Sequence, residues 1–176
     1  MRLRLAIACL AAIAATNAAA AAEMCSEFSG QYANTRTCVS SVLPSQGGNS
    51  YGPDRVSGSD ESGAWCEGVP GPGIGQTITV FQKPPEKVGT MMVVNGYAKS
   101  ADTFRANGRV KRARIETSSG FSKVVTLKDS KDMQAIKFPA SKPAWLKLTI
   151  LEVYPGARHE DTCLSMFYFN HEEFGG

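Results

Sequence analysis

The 176-residue chain predicts an all-β protein, an antiparallel β-sandwich of jelly-roll type. Three observations predict it. All 17 glycines and nine prolines lie after residue 22, so turn formers punctuate the whole of that stretch. No long run repeats its apolar residues with the 3.6 period of a helix. From residue 76 onward, short runs of β-branched and aromatic residues follow one another at strand length.

Residues 1–22 are of a different kind. Arg2 and Arg4 precede an apolar run from Leu5 to Ala15, and an alanine-rich stretch follows. This is the pattern of a secretory signal peptide. The run is too short to span a bilayer, so no membrane span is expected. The residues before Cys25, Ala-Glu-Met, do not make a lipoprotein box. Cleavage after Ala22 leaves 154 residues, four of the five cysteines and a charge of +1 instead of +3. That length suits one domain. The near-neutral charge argues against a nucleic-acid binder. Four cysteines in an exported chain read as two disulfides with three possible connectivities, which places the protein outside the cytoplasm, secreted or periplasmic.

Residues 23–41 form a polar N-terminal segment in which Cys25 and Cys38, 13 apart, read as a local loop staple. Residues 44–63 are rich in Gly, Ser, Pro and Asp and read as a long loop. Strands are then expected over 76–81, where Ile78 and Val80 alternate with threonines, and over Val88–Val94, an apolar run stopped by Asn95-Gly96. Residues 109–116 and 121–128 predict a hairpin. Met133–Phe138 predicts a short strand ending at Pro139. Trp145–Tyr154 and Cys163–Phe169 supply the last two strands, followed by a polar tail over 170–176. About eight strands and no helix are expected.

The chemistry-bearing motifs are few. Gly71, Gly73 and Gly75 precede a strand instead of a helix, so they read as a turn and not a phosphate loop. His159 and His171 are the two histidines, and neither HExxH nor GxSxG occurs. His159-Glu160-Asp161 reads as a solvated turn, since adjacent ligands rarely converge on one metal ion. No enzyme, cofactor or metal is predicted. In Arg109-Val-Lys111-Arg112-Ala-Arg114, strand alternation sends Arg109 and Lys111 one way and Arg112 and Arg114 the other. A charged edge strand is the plainer reading. Contact with an anionic glycan or a phosphate-bearing surface is the sharper one. The loop from Asn95 to Arg109 combines Tyr97, Phe104, amides and cations. Such groups can stack on and hydrogen-bond a sugar, or equally close the loop's own turns.

Several stretches resemble one family. They are Tyr51-Gly52-Pro53, Ala64-Trp65-Cys66-Glu67-Gly68, Gly73-Ile74-Gly75, Asn95-Gly96-Tyr97-Ala98-Lys99-Ser100, Asn107-Gly108-Arg109-Val110-Lys111 and Asp161-Thr162-Cys163-Leu164-Ser165. Together they are similar to the discoidin-like NADase-type glycan-binding domain, the translocation domain at the front of secreted bacterial NAD glycohydrolases. The likeness covers residues 42–169. It implies a galactose-binding, discoidin-like jelly roll and a carbohydrate or cell-surface glycoconjugate as partner. It also implies the pairing Cys66–Cys163, which leaves Cys25–Cys38. A bridge closing so long a loop is worth about 4–5 kcal/mol in the chain-entropy model. The sequence departs from the family where Met166-Phe167 follows Ser165, and no NAD glycohydrolase domain follows.

The expected function is thus an exported, non-catalytic module whose ligand contacts are Trp65, Tyr97, Lys99, Asn107 and Arg109. Trp65 and Tyr97 would stack on a sugar, Asn107 would bond hydroxyls, and Lys99 and Arg109 would meet acidic substituents. The alternative is a protein-interaction or envelope-structural sandwich in which the same residues close turns and fill the core. Their burial discriminates between the two. A small hydrolase, which needs converging titratable groups in a cleft, ranks last.

Overall fold

The computed structural model describes residues 23–56 and 62–174, and the segment read as a signal peptide lies outside them. Among the described residues the strands are β1 (Met24–Ser29), β2 (Asn34–Val39), β3 (Trp65–Cys66), β4 (Thr77–Lys83) and β5 (Val88–Asn95). A short helix α1 (Ala101–Ala106) precedes β6 (Gly108–Thr117), β7 (Ser122–Thr126), β8 (Gln134–Ser141), β9 (Trp145–Tyr154) and β10 (Thr162–Phe169). The hydrogen-bonded order is β1-β2-β4-β9-β6-β10-β5-β8, with β3 on β10 and β7 on β6. The parallel link between β6 and β10 pairs only Gly108 with Thr162 and Arg109 with Cys163. The remaining strand pairings are antiparallel. The chain therefore folds into two layers, β1-β2-β4-β9-β6-β7 over β3-β10-β5-β8.

Alternation builds the core between the layers. Leu146, Leu148 and Ile150 on β9, Ile78 and Val80 on β4, and Ala113 and Ile115 on β6 point inward. They meet Met91 and Val93 on β5, Phe138 on β8, and Phe167 and Phe169 on β10. Both expected disulfides are present. Each joins residues directly opposite in an antiparallel pair, Cys25 with Cys38 and Cys66 with Cys163, at a Cα separation of 4.1 Å.

Four local expectations are corrected. The stapled N-terminal stretch is a hairpin, and β2 adds it to the sheet by pairing with β4. Its inward positions are threonines as well as valine, so no apolar alternation advertises a strand. Pro139 does not end β8, which runs on to Ser141. An edge strand tolerates proline because one side of it needs no N–H. A helix exists where none was expected: Ser100 caps it, accepting from the Thr103 N–H at 3.1 Å while its own N–H donates to Thr103 Oγ1 at 2.9 Å. One turn and a half is too short to display a period. Last, β6 is no edge strand, since it lies between β9 and β7. A register shift between Val110 and Ala113 also breaks its alternation, so Lys111 and Arg112 both reach Glu152, at 3.3 and 2.6 Å.

Candidate functional site

Three of the five expected ligand contacts, Trp65, Tyr97 and Arg109, are interior groups, and Asn107 is half-buried. Trp65 is 0% exposed, sits in the core, and donates its indole N–H to the Ser41 carbonyl at 2.8 Å. It has no surface left to stack on a ligand. Tyr97 is 6% exposed, packs with Ala64 and the Cys66–Cys163 bridge, and meets Tyr51 edge-on at 6.3 Å. Burial pushes the Tyr97 phenol up, against the pull of Arg55. Asn107 caps α1 by donating from Nδ2 to the Thr103 carbonyl at 2.8 Å. Arg109, 9% exposed, grips Asp129 through Nε and Nη2 at 3.0 Å each, and its Nη1 donates to the carbonyls of Asn107 and Pro155. Its guanidinium also lies 5.3 Å from the Phe104 ring centre. Lys99 alone is exposed. The aromatic, amide and guanidinium groups of the expected platform are thus engaged in holding loops, with Asn107 half-buried and Lys99 exposed.

The other motif residues do the same work. Glu67 is fully buried, and its carboxylate accepts from the backbone N–H groups of Val69 and Thr162 at 2.9 and 3.1 Å. Burial pushes that carboxyl up, and the two N–H bonds pull it back. Gly73 packs against it at φ +70°, where any Cβ would strike the Glu67 side chain. Asn95 spans the two layers, donating to the Val110 carbonyl at 2.8 Å and accepting from the Val110 N–H at 3.0 Å. Ser165 accepts from the Ala98 N–H and donates to the Gly63 carbonyl. This end of the sandwich is a plug of satisfied polar groups.

An open concavity lies elsewhere, between the N-terminal hairpin and the end of β10. It is a cleft of about 410 Å³. Phe28 pairs with Thr35 across the hairpin, on the side of Thr37 and the core. The second layer does not reach over it, and it stays 55% exposed. Tyr32, in the turn of the hairpin, is 38% exposed and stacks on the His171 ring at 5.9 Å. Tyr168 and Met133 contribute to the lining, the tyrosine hydroxyl reaching the Met133 sulfur at 3.7 Å. Gln31, Thr35, Asn170 and Glu172 add amide, hydroxyl and carboxylate groups.

His171 is oriented by Gln82. Gln82 Nε2 donates to the carbonyls of Pro143 and Glu86, so its Oε1 faces His171 Nε2 at 2.7 Å and accepts a hydrogen bond from the Nε2–H. Burial pushes the imidazole pKa down, opposed by Glu86. The cleft offers exposed aromatic rings on which the C–H face of a sugar can stack while its amides bond the hydroxyls. Sequence reasoning missed it because Phe28 and Tyr32 stand singly in a polar stretch, and the histidine sits in the tail. Among the described residues, no group of three or more His, Cys, Asp or Glu side chains could hold a metal ion, and no helix is long and apolar enough to cross a membrane.

The model of the NAD glycohydrolase translocation F5/8 type C domain matches residues 28–170. No curated protein matches the chain. Solved structures share the fold at low identity. CpGH89CBM32-5 from Clostridium perfringens, in complex with GalNAc-β-1,3-galactose, aligns at 15% identity and TM-score 0.58 over 77% of this chain and 94% of that one. The family 32 CBM of C. perfringens NanJ, in complex with galactose, gives 14%, 0.54, 77% and 92%. Chitosan-binding module 1 of a Paenibacillus sp. IK-5 chitosanase/glucanase gives 13%, 0.56, 76% and 92%. These likenesses are of the discoidin-like β-sandwich, as the ordered motifs implied. With the match running from the end of β1 to the end of β10, the chain belongs to the NAD glycohydrolase translocation F5/8 type C domain family.

Proposed function

We propose that the protein is an exported, non-catalytic module that binds a carbohydrate ring in the cleft between the β1–β2 hairpin and the end of β10. One observation carries this reading: Phe28 and Tyr32 expose aromatic faces inside a concavity of about 410 Å³ that also holds amide and hydroxyl groups. A pocket of that size suits one or two sugar rings. The binding modules that share its fold support the ligand class, since two of them were solved with galactose-containing sugars. Export is supported by the character of residues 1–22 and by two disulfides, which persist in oxidising compartments.

A glycan array read with wild type, Phe28→Ala, Tyr32→Ala and Tyr97→Ala tests the proposal. Binding that falls at least tenfold (~1.4 kcal/mol) in the two cleft variants, but survives in any folded Tyr97→Ala protein, supports it. Binding that ignores both cleft substitutions removes the site. The second reading, a protein-interaction or envelope-structural sandwich without a sugar, draws on the interior placement of Trp65, Tyr97 and Arg109. An array without hits favours that reading.

A further inference from the structure

The outer face of the six-strand layer carries a separate set of groups. Opposite to the core-facing Ile78 and Val80, β4 presents Thr77, Thr79 and Phe81; opposite to Leu146 and Leu148, β9 presents Trp145, Lys147 and Thr149. Phe81 and Trp145 are direct cross-strand partners. With Thr79 and Lys147 they line a shallow dent of about 110 Å³, and the Lys147 ammonium lies 5.8 Å from the Trp145 ring centre. Both aromatic rings are half-buried, so the face is flat and offers ring edges and faces without a protruding knob.

Charge on this face is uneven. Lys147 pairs with Glu116 at 3.3 Å, and Lys111 and Arg112 share Glu152. Arg36 stands directly beside Phe81 in register, and Arg114 stands beside Thr149, four residues along β9 from Trp145. Arg36 donates from Nη2 to Cys25 Sγ at 3.3 Å and has Glu27 as its partner across the hairpin, yet among the described residues neither Arg36 nor Arg114 has a carboxylate within ion-pair distance. Strand geometry puts Arg36 about 10 Å to one side of Trp145 and Arg114 about 14 Å away along the sheet. Two guanidiniums without an ion-pair partner thus stand beside an aromatic pair. Guanidinium forks match carboxylates.

We propose that this outer face is a second binding site, taking an acidic, uronate-bearing polysaccharide whose rings lie across Phe81 and Trp145 while its carboxylates meet Arg36 and Arg114. The inference does not rest on the cleft, which lies on the other side of the layer. Flatness and the strand-long spacing of the cations favour an extended polymer. An anionic lipid surface is the competing source of negative charge, and it needs no aromatic ring at the centre of the contact.

Affinity electrophoresis of the mature protein through gels containing polygalacturonate, alginate or fully methyl-esterified polygalacturonate tests it. The expected result is retardation by both acidic polymers and none by the ester. Retardation should weaken at least tenfold in Trp145→Ala and in the Arg36→Ala/Arg114→Ala double variant, return in Trp145→Phe, and persist in Phe28→Ala. Thermal unfolding of each variant identifies any that fail to fold, and the surface-only arginine pair keeps the test decisive if Trp145→Ala is one of them. Three results overturn the proposal: no retardation by either acid polymer, retardation that ignores the Arg36/Arg114 pair, or equal retardation by the ester. Sedimentation with phosphatidylglycerol vesicles without any polysaccharide binding also overturns it, in favour of a membrane surface.

Discussion

The two ends of this sandwich use similar residues to opposite ends. Where β3, β6 and β10 begin, Trp65, Tyr97, Asn107 and Arg109 look like a binding platform in the sequence and act as braces in the structure, three of them interior and Asn107 half-buried. At the open side of the β1–β2 hairpin, Phe28, Tyr32 and His171 carry no motif, yet their rings line the cleft. A motif built from Trp, Asn, Arg and Gly advertises whatever constrains those residues most. Here that is the need to satisfy buried backbone groups in long loops. A binding surface needs only exposed rings and a concavity, which single residues on separate elements can supply.

The sharpest way to break this contrast is through the disulfides, one at each region. Replacing Cys66 and Cys163 by alanine removes a link across 97 residues and should cost about 4–5 kcal/mol in urea unfolding, against about 3 kcal/mol for the 13-residue Cys25–Cys38 link. Equal costs would mean that the motif end is no more of a brace than the hairpin. Trp65→Ala should follow, at about 3–5 kcal/mol in the same assay, with ligand affinity per folded molecule unchanged. A folded Trp65→Ala protein with lost affinity would return that residue to the site. Tyr32→Ala inverts the pattern: its stability should stay within about 0.5 kcal/mol of wild type while sugar binding drops at least tenfold.

The smallest expected effect is that of pH on His171. Its folded pKa lies below the ordinary 6.5, because burial disfavours the charged ring. The unfolded chain therefore takes up the proton first as pH falls, so the contribution is intact above pH 6.5 and is lost progressively below it. Urea midpoints measured from pH 8 down to pH 5 should decline through this window, and His171→Gln should flatten that part of the decline. A slope unchanged by the substitution would show that other groups dominate it.

The strands of the core were legible in the sequence wherever apolar alternation was strong. WLKLTILEVY reads as one strand and forms β9 residue for residue. The pairing of Cys66 with Cys163 was legible only through the likeness of the surrounding motifs, since four cysteines leave three connectivities. The N-terminal hairpin was hidden because Thr35 and Thr37 occupy inward positions where an apolar residue would have signalled a strand. The role of Arg109 was hidden for a physical reason as well. Its partner Asp129 is 20 positions away, on the far side of β7, and no local spacing announces a bidentate bond between them. The bulge in β6 likewise follows from its pairing with β9, not from any residue in the run itself.

The proposed sugar contact lies at the cleft and not at the motif end. Amide chemical-shift mapping of the isotope-labelled protein, titrated with GalNAc-β-1,3-galactose and with chitosan oligosaccharide, measures this directly. The perturbed amides are predicted to cluster at residues 28–35 and 166–172, around the cleft. Perturbations confined to residues 97–109 and 158–163, with the hairpin and the end of β10 unmoved, would contradict it.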